Sequence, residues 1–517
     1  MEPDFRRAMG WLHTWSGVVL GCILFAIFWM GTLSVFDIEI DQWMKPATRL
    51  PPAAQALPLE SFRPSLNEAI AARAPFWNVE LPNDRQSVAS VHYRSKSGAV
   101  SHDIDPVSGH VLPDTGTLGA SGFIFPFHYT LHIKLMNLGE WLVGLASMAM
   151  LVLCVSGVII HRKIFAEFFT FRPRKQSRRL LLDLHNLSGV LGLPFHIILT
   201  FSGLTILGAT FFPTGIKTLY PSPRGYFYEA NSLSFLNTKP GQPGAPVVSL
   251  DETFKQANAL WGGDRPETVL VFNPGKTTGR IAFFRSTEQQ VVMNRDVVAF
   301  SSTTGELLSH PPAPRPIIRA QRFLSGLHFI HFHHWVLRWL YFVLGLGSCG
   351  MIATGYLFWQ ESRRARQEGT FGFRLVEGLS AGSITGIIIA TLAFFISNRL
   401  LPPGAHILGA ERATLEVWCF YLVWLATFLH GWFWPRGIWV SQSAAISILA
   451  ALAAVLNWLT TEDHPLHTLS HRYLWPVGGM DLVLLTGSAL ALLTAIRLAR
   501  RKQNATTAPR QPAGKTA

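Results

Sequence analysis

The sequence predicts an α-helical integral membrane protein with about eight transmembrane helices and two α+β domains inserted between helices 1 and 2 and between helices 3 and 4. Of its 517 residues, 49% are hydrophobic and only 15% are charged, a composition typical of membrane proteins. A spanning helix needs about 20 mostly apolar residues. Eight stretches meet this requirement, near 11–36, 139–161, 186–212, 335–359, 376–398, 414–434, 438–459 and 475–498.

The net charge of +13 would suit a nucleic-acid partner, but its distribution argues against one. The basic residues gather where the apolar stretches end on one side of the predicted membrane, and by the positive-inside rule that side is cytoplasmic. Both termini are then cytoplasmic, and the partner is the lipid bilayer. The residues are Arg6, Arg7, Arg162, Lys163, Arg172, Arg174, Lys175, Arg178, Arg179, Arg363, Arg364, Arg366, Arg374, Arg497, Arg500, Arg501 and Lys502.

The four cysteines lie within apolar stretches, and the chain has no CxxC or CxxCH motif. This pattern excludes a c-type haem attachment and a sequence-evident zinc site. The first apolar stretch is too long for a signal peptide, so we interpret it as an uncleaved anchor.

The two long polar segments repeat one order of elements. Segment 37–127 contains an amphipathic helix (65–75), an alternating strand (87–95) and the turn and strand DPVSGHVL; segment 213–327 contains a helix (249–261), two strands (267–273 and 279–286) and the turn SSTTGELL. The predicted organisation is helix 1 (1–36), domain 1 (37–127), helices 2 and 3 with a cytoplasmic loop (128–212), domain 2 (213–327), helix 4 (328–372), an appended four-helix module (373–502) and a disordered cytoplasmic tail (503–517).

Four Leu-His pairs mark the ends of the first four apolar stretches, with histidines at His13, His132, His185 and His328. His13 lies six residues after Arg7 and His185 six after Arg179, which predicts equal depth near the cytoplasmic face. On the exported side the repeat pairs His132 with His328, whereas depth slightly favours His331.

Histidines at matching depths on packed helices suit two b-type haems, each with two axial histidines. Zinc or copper would also accept imidazole, but the apolar surroundings offer no carboxylate or thiolate. Boundary histidines among lipid headgroups are the simpler alternative. Gly31, Gly157, Gly203 and Gly355 recur near the far ends of helices 1 to 4. They serve either close helix packing or room for a macrocycle.

Four segments together resemble the PepSY-associated transmembrane helix family: WLHTWSGVVLG, FHYTLHIKLMNLGEWLVGLASMAMLVLCVSGVI, LLDLHNLSGVLGLPFHIILTFSGL and LHFIHFHHWVLRWLYFVLGL. DPVSGHVL and TTGELL resemble the end of PepSY domains, and the resemblance covers about 1–370. It implies periplasmic PepSY-like domains, a bacterial inner-membrane location and similarity to ferric-siderophore reductases with two b-type haems. His13 and His185 would hold the cytoplasmic-side haem, and His132 with His328 the periplasmic-side one. The HFIHFHH run is denser than the family pattern and keeps His331 as the alternative outer ligand.

The leading hypothesis is a haem-dependent ferric-siderophore reductase that carries electrons across the inner membrane. The chain has no Gly-rich dinucleotide motif, so the donor is a separate cytoplasmic protein or a quinol. No catalytic acid, base or nucleophile is expected. The alternatives are a PepSY-domain membrane anchor that binds or regulates a periplasmic partner, and a transporter of iron or siderophore.

Overall fold

The computed structural model describes residues 3–53, 57–96, 98–161, 177–231, 233–236, 238–293, 296–310 and 315–507. Long helices form a bundle, and a seven-stranded sheet lies at one of its ends, which we call the sheet side. The helices in chain order are α1 (Pro3–Ser34), α2 (Asp37–Met44), α3 (Arg63–Ala71), α4 (Phe125–Thr130), α5 (Leu138–Ile160), α6 (Ser177–Leu191), α7 (Leu193–Ile206), α8 (Gly208–Phe211), α9 (Pro213–Leu219), α10 (Pro223–Ala230), α11 (Leu250–Leu260), α12 (Pro316–Phe329), α13 (Trp335–Gln367), α14 (Phe371–Ala381), α15 (Ile387–Leu400), α16 (Arg412–Phe433), α17 (Ile438–Thr461), α18 (Pro465–Ser470) and α19 (Trp475–Thr507).

Seven helical spans of the described chain are long and apolar enough to cross a membrane, and a bent pair makes an eighth. The pair is α6 and α7, which meet at an angle of 61°. The bend falls at Gly192, with Pro194 in the first turn of α7, where a missing N–H costs nothing. All eight predicted apolar stretches are therefore helical. The basic loop residues Arg162, Lys163, Arg172, Arg174 and Lys175 lie outside the described residues.

The strands of both polar segments join one sheet. They are β1 (Phe76–Glu80), β2 (Ala89–Ser95), β3 (Gly98–Ile104), β4 (Pro266–Phe272), β5 (Arg280–Arg285), β6 (Val297–Ser301) and β7 (Leu307–Ser309), in the spatial order β3-β2-β1-β4-β5-β6-β7. A two-stranded ribbon, β8 (His406–Ile407) and β9 (Ala410–Glu411), lies apart from this sheet.

The strands of the two predicted α+β domains meet at the centre of the sheet. β1 of the first segment pairs antiparallel with β4 of the second, from Phe76 opposite Phe272 to Glu80 opposite Thr268. One apolar core, which includes Leu66 and Leu250 from α3 and α11, underlies both halves. Each segment alone would leave a long unpaired strand edge, and pairing the two edges removes that exposure. The segments thus form one folded unit.

The repeated turns take the same conformation in both halves. Gly109 and Gly305 each have φ of +73°, and each donates its N–H to a carbonyl four residues earlier, on Asp105 and Ser301 respectively. Residues other than glycine rarely adopt this left-handed conformation. The sequence prediction of two equivalent turns is confirmed.

The appended module is bound to the first half by buried polar contacts on the sheet side. The indole Nε1 of Trp43 in α2 donates to Asp481 of α19 at 2.7 Å, and Arg49 pairs with Asp463 at 2.6 Å. A π-helical segment, Gly382–Gly386, links α14 to α15. The last helix continues through Thr507, so the beginning of the expected tail (503–507) is helical, and 508–517 lie outside the described residues.

Candidate functional site

Two histidines predicted to lie at the same depth are neighbours within the bundle. The rings of His13 on α1 and His185 on α6 have their centres 6.2 Å apart, with their planes at 82°. We call them the inner pair, because they lie at the end of the bundle away from the sheet. Their equal distances from Arg7 and Arg179 along the chain predict one level, and the two residues lie together in the structure.

A second pair lies at the sheet side, and one of its members differs from the sequence expectation. His328 on α12 faces His128 on α4, with ring centres 5.9 Å apart and planes at 36°. We call these residues the outer pair. His128 lies four positions before His132 and is not among the ligands predicted from the sequence.

The expected pairing of His132 with His328 is corrected by the backbone around α4. Leu131 ends this helix in the left-handed conformation (φ +49°) and His132 follows with φ +51°. The chain therefore leaves the helix, and the His132 ring packs against Phe123 at 5.3 Å. The alternative ligand, His331, lies past the end of α12 and contacts Phe332. Neither residue faces a histidine of the outer pair.

Each paired histidine is oriented through its Nδ1 atom. The Nδ1 of His185 lies 2.8 Å from the Met351 carbonyl oxygen, that of His128 2.8 Å from the Ile27 carbonyl and that of His328 2.9 Å from the Leu199 carbonyl. A carbonyl only accepts hydrogen bonds, so these Nδ1 atoms carry the proton and Nε2 keeps its lone pair.

The fourth histidine, His13, has a similar arrangement. Its Nδ1 lies 3.1 Å from Ser156 Oγ. The Nδ1 of His328 has a matching serine, Ser202, at 3.1 Å. In the described part of the chain, no Nε2 of the four paired histidines has a hydrogen-bond partner, which leaves these atoms free to bind a ligand.

The four glycines found in the sequence each lie against one paired histidine. A Cβ atom at Gly31 would be 2.6 Å from His128, at Gly203 2.9 Å from His328, at Gly355 3.2 Å from His185 and at Gly157 3.4 Å from His13. The glycines therefore make space for the imidazoles themselves, a role that the sequence analysis did not consider.

Glycine and hydrogen bond belong to one recurring unit, which we call a glycine notch. For three of the histidines, the carbonyl that accepts from Nδ1 lies four residues before the glycine: Ile27 before Gly31, Leu199 before Gly203 and Met351 before Gly355. In a helix that carbonyl already accepts the glycine N–H. Because glycine has no side chain, an imidazole can approach closely enough to bond the second lone pair of that carbonyl oxygen. For His13, the partner is Ser156, the residue before Gly157.

The separation of the rings fits two ligands on opposite sides of one metal. With a nitrogen–metal bond of about 2.0 Å, opposed imidazoles have ring centres about 6.3 Å apart. The observed separations are 6.2 Å and 5.9 Å. Fixed tautomers and unbonded Nε2 atoms are what histidine ligands of a metal or a haem require.

The two pairs occupy levels on opposite sides of the bundle interior. On α1, fourteen residues separate His13 from Ile27, the contact of His128, which corresponds to about 21 Å of helix. Between these levels lies His196 of α7, which is buried and bonded through Nε2 to Ser348 Oγ at 2.8 Å. With its Nε2 engaged, His196 is not a free ligand.

A buried charge cluster connects the outer pair to the sheet. Arg338 of α13 donates to the carbonyls of Ile330, two residues after His328, and of Val35, and it lies 3.6 Å from Glu39. Glu39 also pairs with Arg85, from the β1–β2 loop, at 2.7 Å. In the same cluster, burial raises the pKa of Asp37 to about 6 even though Arg85 opposes the shift.

The comparisons with known proteins agree with this architecture. The model of the PepSY-associated TM region matches residues 10–361, more than half of the chain, and the protein belongs to this family. A protein of Pseudomonas aeruginosa that is named only as uncharacterized is 28% identical over 386 residues, which cover 70% of this chain and 91% of the relative. The matched region contains all four paired histidines and their four glycines.

Proposed function

We propose that the protein is a transmembrane oxidoreductase that binds two b-type haems, one between His13 and His185 and the other between His128 and His328. The observation that carries this proposal is the fourfold glycine notch. Three imidazoles bond a backbone carbonyl four residues before a glycine, and the fourth, His13, bonds Ser156 beside Gly157. The rings lie 6.2 Å and 5.9 Å apart in two pairs. The four histidines would hold the two haems, and the haems would supply one-electron transfer when bound.

In our proposal, electrons move from the inner pair to the outer pair. Electrons from a cytoplasmic protein or a quinol would enter at the inner pair and leave at the outer pair, beneath the sheet. There they would reduce ferric iron, held in our proposal by a siderophore. Each transfer converts Fe³⁺ to Fe²⁺, which hard oxygen ligands hold less tightly, so the reaction would release the iron on the periplasmic side. In this proposal, the histidine side chains hold and orient the haems, and they transfer no proton.

The test is the haem content of variants purified in detergent. Wild-type protein should show a dithionite-reducible b-type spectrum with two haems per chain. His13→Ala or His185→Ala should remove one haem, and His128→Ala or His328→Ala the other. His132→Ala and His331→Ala are matched controls on the sheet side, and both should keep two haems.

Each outcome of this experiment has a definite meaning. Loss of haem from His132→Ala with retention in His128→Ala would overturn the outer-pair assignment. Purified protein without any b-type spectrum would overturn the electron-transfer proposal and favour an anchor or a transporter. Haem-loaded protein that cannot reduce a ferric siderophore after dithionite reduction would retain the haems but overturn the proposed acceptor.

A further inference from the structure

A cluster of three histidines lies far from both pairs, between α17 and α19 on the sheet side. His464, His467 and His471 surround the short helix α18. The ring centres of His464 and His467 are 6.1 Å apart, and those of His467 and His471 only 4.6 Å. Four residues separate the two closest rings, a spacing that places side chains on one side of a helical turn.

Hydrogen bonds give two of these histidines the same orientation. The Nδ1 of His467 lies 2.9 Å from a carboxylate oxygen of Asp463, and the Nδ1 of His471 lies 3.0 Å from the carbonyl oxygen of His467. Both partners are acceptors, so each Nδ1 carries the proton that it donates and each Nε2 keeps its lone pair. Metal-binding histidines are typically oriented by such a carboxylate or carbonyl behind the ring.

His464 has the opposite arrangement. Its Nδ1 accepts the backbone N–H of His467 at 3.2 Å and so caps the start of α18. The proton of neutral His464 must then lie on Nε2, which cannot bind a metal in that state. The cluster therefore offers two donors. This agrees with the finding that, in the described part of the chain, no three His, Cys, Asp or Glu side chains are placed to hold a metal.

The close separation of the two donors fits neighbouring positions on one ion. With bonds of about 2.1 Å, two imidazoles at adjacent coordination positions have ring centres about 4.5 to 5.2 Å apart. The value for His467 and His471 is 4.6 Å, in contrast to the opposed rings of the inner and outer pairs. The His467 side chain is 41% exposed, so water can complete the coordination shell.

The orienting carboxylate is itself held in place. Asp463 pairs with Arg49, which also donates to Asn457 Oδ1 at 3.0 Å and to the carbonyl oxygen of Trp43 at 2.6 Å. The Arg49 side chain is only 4% exposed, so this support is not a loose surface contact.

We propose that His467 and His471 form a binding site for a divalent transition-metal ion, with Asp463 orienting the first ligand. Imidazole donors select ions such as Cu²⁺, Zn²⁺, Ni²⁺ and Fe²⁺ over Mg²⁺ and Ca²⁺. The site is distinct from the haem pairs, and its existence does not depend on the proposed reductase activity. Ferrous iron, the product of that proposed activity, belongs to the class of ion that it binds.

The experiment is a titration of the full-length, detergent-purified protein with Zn²⁺ alone, followed by calorimetry, with haem content recorded in parallel. His467→Ala and His471→Ala should each weaken binding at least about tenfold, and Asp463→Asn about tenfold, as for the loss of an orienting partner. His406→Ala, which removes an exposed histidine of β8 on the same side, is the matched control and should bind as wild type. A Cu²⁺-loaded sample should show two nitrogen ligands by electron paramagnetic resonance.

Three results would overturn the site. These are wild-type Zn²⁺ affinity in both His467→Ala and His471→Ala, an equal loss of affinity in His406→Ala, and a Cu²⁺ spectrum with fewer than two nitrogens. If an alanine variant does not fold, His471→Gln keeps a polar side chain at the exposed position and should show the same loss of affinity. Wild-type protein that binds Zn²⁺ but contains no haem would contradict the proposed function and leave the metal site standing.

Discussion

The glycine notches predict a graded response to the addition of a single methyl group. In Gly31→Ala, the new Cβ would lie 2.6 Å from both Cε1 and Nδ1 of His128. Carbon atoms in optimal contact are about 3.5–4.0 Å apart, so the imidazole would have to move by about 1 Å. We therefore expect Gly31→Ala to displace the His128 ring and weaken haem binding at the outer pair.

The expected size follows from the cost of overfilling a packed interior, about 1–3 kcal/mol. At about 1.4 kcal/mol for each factor of ten, this corresponds to roughly 5- to 150-fold weaker haem binding. The other notches give smaller overlaps: 2.9 Å at Gly203, 3.2 Å at Gly355 and 3.4 Å at Gly157. The loss should decrease in that order, and Gly157→Ala should be close to wild type.

The assay is haem per protein after purification and again after incubation with apomyoglobin, which captures released haem. Gly350→Ala on α13 is the matched control, because a Cβ there meets nothing within 4 Å. If Gly31→Ala and Gly203→Ala retain haem as Gly350→Ala does, the notches are not haem-site features. If Gly157→Ala releases haem faster than Gly31→Ala, the reasoning from contact distance is wrong.

Three further predictions test the framework around the site. Arg338→Ala leaves buried Glu39 with one cation fewer and leaves the Ile330 carbonyl without this donor. The free energy of unfolding should fall by about 3–5 kcal/mol, and haem should be lost first from the outer pair, with partial rescue in Arg338→Lys. Thermal unfolding without preferential haem loss would contradict this. Burial raises the pKa of Asp37 from 3.8 to about 6, so its protonation stabilises the fold and this contribution is lost as pH rises through 6. The melting temperature should therefore fall between about pH 4 and pH 6, less steeply in Asp37→Asn, and equal slopes would refute this. Trp43→Phe removes the donor to Asp481 and should cost about 1–3 kcal/mol, and an unchanged melting temperature would show that this contact does not hold the module.

Hydropathy was sufficient to predict the helices, because a membrane requires long apolar segments and this chain supplies them without ambiguity. Charged residues also predicted the inner pair, since Arg7 and Arg179 each precede a histidine by six residues. Gly192 and Pro194 indicate the bend between α6 and α7 in the sequence, but the angle of the bend depends on packing.

The sequence repeat pairs His132 with His328, whereas His128 lies beside His328 in the structure. The repeated Leu-His dipeptide does not correspond to a repeated helix position. Leu131-His132 resembles Leu327-His328 in sequence, yet α4 ends at Thr130 whereas α12 continues through Phe329. Helix ends depend on local backbone conformation, here the left-handed Leu131, which sequence patterns specify weakly. The spacing of the glycines held better information, because Gly31 and Gly203 are offset by the same 172 residues as His13 and His185.

Each half of the chain contributes one histidine to each pair, and this explains why the sheet is continuous. In the first half, α1 and α4 carry His13 and His128, and their notches, Gly157 and Gly31, lie in the same half. In the second half, His185 and His328 likewise rest on Gly355 and Gly203. Each half therefore supplies one histidine, with its glycine, to the inner pair and one to the outer pair. Neither half alone could hold a haem between two histidines. The spacing of 6.2 Å and 5.9 Å depends on how the halves are held together. Pairing of β1 with β4 fixes that relation outside the bundle, so a weakened junction should loosen both pairs at once, whereas a change in one notch should affect one pair.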